Sequence, residues 1–120
     1  MSFATKKLGN TGEQWAAHYL TTKGYEIIDC QVHSRFGEID LIVRDGDMTV
    51  FVEVKTRSNR NFGSPEEALT TWKQYKLIHA AEDYLSRTDN YRGDWRVDLV
   101  VIDVEKGALK RIDHYENVLW

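Results

Sequence analysis

The stretch Gly37-Glu38-Ile39-Asp40-Leu41-Ile42-Val43-Arg44, then Asp45-Gly46-Asp47, then Thr49-Val50-Phe51-Val52-Glu53-Val54-Lys55-Thr56 decides the fold. Asp-Gly between two apolar runs is a tight hairpin signal. The flanking runs, Gly37–Arg44 and Thr49–Thr56, are rich in β-branched residues and read as strands. Side chains alternate across a strand, so Glu38 and Asp40 share a face, as do Glu53 and Lys55. The intervening positions Ile39, Leu41, Val43 and Val50, Val52, Val54 are uniformly apolar and read as a core face.

Outward from the hairpin, Tyr25–Val32 reads as a preceding strand centred on Ile27 and Ile28. Before it, Thr11 and Gly12 open a helix running to Lys23, with Gly24 as its stop. The inner stripe of that helix is Glu13, Ala16, Ala17 and Leu20, so an acid heads an apolar row. After the hairpin comes a polar loop, Arg57–Ser64. Ser64-Pro65-Glu66-Glu67 then carries a helix-start pattern. A longer helix, Thr71–Arg87, shows an apolar stripe of Leu77, Ile78, Ala81, Tyr84 and Leu85. Strands at Trp95–Val104 and Leu109–Tyr115, joined by a Lys106-Gly107 turn, complete the chain. The expected order is α-β-β-β-α-β-β, an α/β fold with a central mixed sheet flanked by helices, in one domain over residues 1–120.

The composition is that of an ordinary globular chain: 120 residues, 42% hydrophobic, 29% charged. Cys30 is the single cysteine, so an intrachain disulfide is excluded and a reducing cytoplasm is expected. No run is long and apolar enough to span a bilayer. A net charge of −3 argues against a general nucleic-acid binder. Carboxylates that await a cation make such a sum acidic, however. Between Lys55 and Lys76, moreover, the basic residues Lys55, Arg57, Arg60, Lys73 and Lys76 face only Glu66 and Glu67.

The hairpin carries the chemistry. Burying charge is costly unless it is paired or binds metal, and three acids with one lysine on adjacent strands do not neutralise one another. A hard divalent cation with oxygen ligands, Mg²⁺ or Mn²⁺, resolves the excess. Asp40, Glu53 and a backbone carbonyl near Val54 would hold it. Lys55 would orient the attacking water or stabilise charge on a phosphate. Glu-x-Lys alone reads as an ion pair on an exposed strand. It is the Gly-Glu-Ile-Asp strand beside it that turns the reading toward a metal site.

The pattern Gly37-Glu38-Ile39-Asp40-Leu41-Ile42 followed by Phe51-Val52-Glu53-Val54-Lys55-Thr56-Arg57 resembles the restriction-endonuclease-like (PD-(D/E)XK) superfamily, whose signature is an acid, a spacer, then acid-x-Lys. More closely, the chain resembles the bacterial YraN-like family of small predicted endonucleases, from Gly9 to the strand around Asp98. It is similar in length and motif order to archaeal Holliday-junction resolvases. The resemblance implies a restriction-endonuclease-like fold and a metal-dependent nuclease acting on DNA, with branched or structured DNA as the expected substrate. It also implies Asp40 and Glu53 as metal ligands, Lys55 as catalytic, and Glu13 as a further acid at the site. The residues themselves offer a second reading of Glu13, as a first-turn acid complementing the helix dipole.

Other candidates are weaker in pattern. Glu38 reads as a supporting acid or hydrogen-bond anchor. Lys73 and Gln74 lie near the inward side of a helix N-terminus, an end that attracts phosphate. Arg57 and Arg60, with Asn59, Asn61 and Gly63, form a loop suited to a phosphate backbone. Trp72, Tyr75 and Trp95 could stack on bases, although aromatics at such spacing more often serve a core. His18, His33, His79 and His114 are scattered. The alternative to a nuclease is an inactive nucleic-acid- or protein-binding module on the same fold, and a homodimer would accompany junction cleavage.

Overall fold

The computed structural model describes residues 11–58, 65–88 and 93–119. The order is α1 (Thr11–Thr22), β1 (Glu26–Ser34), β2 (Gly37–Asp45), β3 (Met48–Arg57), a single turn α2 (Pro65–Ala68), α3 (Thr71–Arg87), β4 (Trp95–Glu105) and β5 (Ala108–Tyr115). This is the order expected from the sequence. The Ser64 helix start and the residues Asn59, Arg60, Asn61 and Gly63 lie outside the described residues.

The five strands form one mixed sheet in the order β1-β2-β3-β4-β5. β1, β2 and β3 are antiparallel neighbours, β3 and β4 are parallel, and β4 and β5 are antiparallel. The parallel pair requires a crossover, and α3 lies in it. Two turns set the hairpin registers. Gly46 stands at φ 61 between the paired Asp45 and Met48, the conformation that favours glycine at the first central position. Lys106 and Gly107 both have positive φ between the paired Glu105 and Ala108, as a two-residue primed turn demands.

Apolar side chains fill both faces of the sheet. On one face α1 places Ala16, Ala17 and Leu20 against Leu41, Val43, Val50, Val52, Val100 and Ile102. On the other, α3 places Leu77, Ala80, Ala81, Tyr84 and Leu85 against Ile42, Phe51, Val97, Leu99 and Val101. Phe51 anchors this second layer through edge contacts with Tyr84 and Trp95, at 5.8 and 5.6 Å between centroids. Two findings refine the sequence reading. The apolar alternation in the hairpin identified one core face, whereas both are covered, so Ile42 and Phe51 are buried too. On α3 it is Ala80 that is buried, while Ile78 is only partly so. Small Ala80 and Ala81 let the helix approach the sheet closely.

A polar cluster ties β4 to β5 and the C-terminal turn. Asp98 is fully buried. Its carboxylate accepts from Arg96 Nε at 2.9 Å and from the Asn117 amide at 2.9 Å, and faces His114 Nε2 at 2.7 Å. The Lys23 ammonium donates to His114 Nδ1 at 2.7 Å, which leaves Nε2–H to donate to Asp98. Burial alone would push Asp98 up, but the bonds from His114, Arg96 and Asn117 outweigh it and hold the carboxyl below the usual range.

Candidate metal centre

The site forms where β2 and β3 part. Their ladder runs from Asp45 and Met48 to Leu41 and Val52 and ends there. Asp40 would pair next. Instead its side chain enters the fork, and Oδ2 accepts the Val54 backbone N–H at 2.8 Å. The carboxylate thus satisfies a donor that the missing ladder bond would leave unpaired. Glu53, the residue before Val54, is buried on the α3 face of the sheet.

Both helical layers reach this fork. From α1, Glu13 is buried at the head of the inner stripe. One carboxylate oxygen each from Glu13, Glu38 and Asp40 lies within 4.8 Å of the others, a spacing that a single cation can bridge. From α3, Lys73 Nζ sits 2.7 Å from Glu53 Oε2. Asp40, Glu38, Glu53, Lys73, Lys76 and Phe36 contribute to the wall of a pocket of about 210 Å³.

The electrostatics follow from this crowding. Burial raises the Asp40 carboxyl, the neighbouring Glu53 raises it further, and Glu13 and Glu38 add to the effect. The Val54 N–H opposes them, and the balance leaves Asp40 at about 8. Lys73 moves up as well. Its hydrogen bond to Glu53 favours the ammonium more than partial burial disfavours it.

The strand opposite Asp40 is distorted at the same level. Gln31 sits in β1 between Cys30, paired with Leu41, and Val32, paired with Ile39. It adopts φ 47, a left-handed conformation that a non-glycine residue takes at a cost of about 1–2 kcal/mol. Its side-chain amide donates to Glu13 Oε1 at 3.2 Å. Strain of this kind gathers at working sites, and here the distorted residue positions one acid of the cluster.

The structure therefore brings together Asp40, Glu53, Glu13 and Glu38. Val54 contributes its N–H to Asp40. Lys55 shares the face of Glu53 but is exposed and lies outside the pocket wall; the ammonium that touches Glu53 belongs to Lys73. Gln74 lines a neighbouring groove and donates from Nε2 to the Leu69 carbonyl at 2.8 Å. Arg57 is directed to Asp103, Nε to Oδ1 at 3.1 Å, with both side chains largely buried. Arg60 lies outside the described residues. The sequence reading set Lys73 on the inward side of its helix start, near DNA or the site, without naming Glu53 as its partner, and the left-handed Gln31 escaped it. The Lys73–Glu53 contact depends on how α3 docks, and no residue-type signal marks Gln31. The pairing of His114 with Asp98 also escaped it, since strand register brings together two residues far apart in sequence.

A mixed five-stranded sheet in the order α-β-β-β-α-β-β, covered by helices and carrying acids at its strand fork, is the architecture of a restriction-endonuclease-like fold. The chain belongs to the uncharacterised protein family UPF0102, the YraN family, whose profile matches residues 12–102. Among its relatives is the UPF0102 protein of Alkaliphilus oremlandii, 45% identical over 113 residues, which cover 93% of this chain and 97% of that one. That of Syntrophomonas wolfei is 46% identical over 112 residues, covering 93% and 96%. That of Symbiobacterium thermophilum is 48% identical over 108 residues, covering 90% of each. Among the described residues, no helix is long and apolar enough to cross a membrane.

Proposed function

We propose that this protein is a metal-dependent nuclease that hydrolyses phosphodiester bonds in DNA, with the acids of the β2–β3 fork as its cation site. One observation carries the reading: four carboxyl groups from α1, β2 and β3 crowd one fork, Glu13 and Glu53 buried, Asp40 half-buried and Glu38 at the exposed rim, and burial together with this crowding raises Asp40 to about 8. An all-oxygen donor set of this charge suits Mg²⁺ or Mn²⁺. Asp40 and Glu53 would hold the ion with the Val54 carbonyl, and Glu13 and Glu38 would complete or brace the set. A bound divalent cation supplies Lewis acidity, polarising a phosphoryl oxygen and making water a better nucleophile at neutral pH.

The chain's own groups do the rest. Asp40 would have to give up its proton to hold a cation, so binding would strengthen as pH rises toward 8. Lys73 pairs with Glu53, and its ammonium would be free to turn toward a phosphate were Glu53 to hold the cation. Lys55, two residues beyond Glu53 on the same strand face, lies where β3 emerges to solvent and would meet the substrate backbone. Arg57 extends the same strand. Gln74, near the start of α3, would brace the approach. Cleavage of a branched junction would need two such sites, so that substrate implies a homodimer. A single buried free cysteine fits a cytoplasmic setting.

The test is cleavage of duplex, single-stranded and branched DNA by the purified protein with Mg²⁺ or Mn²⁺. Asp40→Asn and Glu53→Gln should each reduce cleavage by about 100-fold or more. Cleavage undiminished from the parent's in both variants would overturn the assignment. The close Lys73–Glu53 pair also favours a second reading, a binding module whose acid is neutralised by lysine and needs no metal. Calorimetric titration separates the two, because such a module takes up no Mn²⁺.

A further inference from the structure

The rim of the acid pocket continues into a row of rings along α3. Trp72 and Tyr75 are 65% and 49% exposed, yet they lie face to face, with centroids 5.5 Å apart and planes 9° from parallel. Tyr75 meets His79 at 4.3 Å, His79 stacks on Phe36 at 5.2 Å, and the Arg35 guanidinium lies 5.0 Å over the Phe36 ring. Residues 72, 75 and 79 follow helical spacing and so form one stripe. An exposed aromatic stripe of this size marks an interaction surface more often than an accident of packing.

Its neighbours indicate the occupant. Lys76 Nζ lies 5.8 Å from the Trp72 ring. Lys76, Lys73 and Phe36 also contribute to the pocket that holds Asp40 and Glu53. The rings and the acid pocket are therefore continuous, joined by two lysines. Against the cations Arg35, Lys73 and Lys76 stand the pocket acids Glu38, Asp40, which burial and its acidic neighbours raise to about 8, and Glu53, already paired with Lys73, and beyond them Glu82, which lies 3.7 Å from His79. Flat exposed rings bordered by ammonium groups match a strand that offers base faces on one side and phosphates on the other. A duplex keeps its base faces inside its own stack and cannot present them.

We propose that Trp72 and Tyr75 form a stacking platform for unpaired bases of single-stranded DNA, which leads the backbone past Lys76 and Lys73 into the acid pocket. This names the substrate class of the site proposed above and rests on that reading. The Phe36–His79 stack holds the far end of the row, and Arg35 adds a cation there.

The experiment is an anisotropy titration of the full-length protein in EDTA, with labelled oligo-dT of about 15 nucleotides and a hairpin duplex of equal charge as probes. The single strand should bind more tightly and quench tryptophan emission. Trp72→Ala and Tyr75→Ala should each weaken it by about 5- to 150-fold, while Trp72→Phe, which keeps a π-face, stays near the parent. Both rings are largely exposed, so far-ultraviolet circular dichroism should be unchanged. Tighter duplex binding, or alanine variants without effect, would overturn the platform. So would a loss of self-association with DNA binding unchanged, which would make the stripe a contact between protein copies. Binding in EDTA does not depend on a cation. If cleavage fails while Trp72-dependent binding holds, the nuclease reading falls and the platform stands. If cleavage holds and Trp72 is silent, the platform alone falls.

Discussion

Replacing Asp40 by Asn should change how stability depends on pH. In the folded chain Asp40 holds its proton up to about 8, against an ordinary 3.8. The fold thus binds this proton more tightly than the unfolded chain does. The stability it contributes is complete below pH 3.8 and is lost as pH climbs through 8. Each unit in that window is worth about 1.4 kcal/mol. From about pH 5 to about pH 9 an independent group would cost the fold about 4 kcal/mol. Glu53 shares the same charge crowding, so about 2–4 kcal/mol is the expected range. Asn cannot ionise, and its carbonyl oxygen can still accept the Val54 N–H. Urea titrations in EDTA at about pH 5, 7 and 9 read the difference. At the m-value of a small domain the parent should lose about 1–3 M in midpoint relative to Asp40→Asn. Groups elsewhere titrate alike in both proteins and cancel. Replacing the EDTA by Mg²⁺ at the highest pH should restore the parent and leave the variant unmoved. Parallel pH profiles for the two proteins would refute the account of Asp40.

Further expectations concern its neighbours. Lys73→Ala should change apo stability by no more than about 1 kcal/mol, because Lys73 is 43% exposed and screened. Comparing cleavage by Lys73→Ala and Lys55→Ala shows which ammonium serves the substrate, and no loss in either would remove lysine from the mechanism. Gln31→Ala frees Glu13 from its amide partner, so Mn²⁺ affinity should fall by about 10-fold, toward the value of Glu13→Gln. An unchanged Gln31→Ala isotherm would deny Gln31 a positioning role. Asp98→Ala strands Arg96 beside His114 and should cost about 3–5 kcal/mol in chemical denaturation. Asp98 is held below its ordinary value, so its contribution is present above pH 3.8 and is lost as pH falls further, opposite in sign to that of Asp40. An acid-unfolding midpoint that Asp98→Asn leaves in place would show that other carboxylates control that limb.

The fold was legible because its local signals agree. Asp45-Gly46-Asp47 fixed the hairpin, β-branched runs fixed β2 and β3, and Glu13, Ala16, Ala17 and Leu20 are all buried as read. The second covered face was harder to see. Ile42 and Phe51 belong to a row interrupted by Asp40 and Glu53, and a row with acids in it resembles a solvated face. Only the docking of α3 shows that these acids sit at the margin of a core.

The same margin explains which parts of the site could be read. Asp40 and Glu53 come from adjacent strands, and strand periodicity is enough to place them on one face. Lys55 follows the same periodicity, but periodicity does not say where a strand leaves its covering layers. β3 goes from buried Glu53 to exposed Lys55 within two residues, and Thr56 beyond it is exposed too. Lys73 and Gln31 approach the acids from a helix and from a neighbouring strand, at separations that no local pattern encodes. Both are tied to the fork between β2 and β3. Where the ladder stops, Asp40 takes a backbone donor, Gln31 twists opposite it, and Glu13 reaches across from α1. A break in hydrogen bonding that would weaken an ordinary sheet here makes room for acids from one helix and two strands to meet. Closing the fork with an apolar residue at position 40 would therefore remove the charge crowding and the opening together. Asp40→Leu should leave the apo fold with a flatter stability profile between about pH 5 and 9, like that of Asp40→Asn, but should leave the Val54 N–H without its acceptor, at a cost of about 1–3 kcal/mol. A profile as steep as the parent's would place the crowding elsewhere in the molecule.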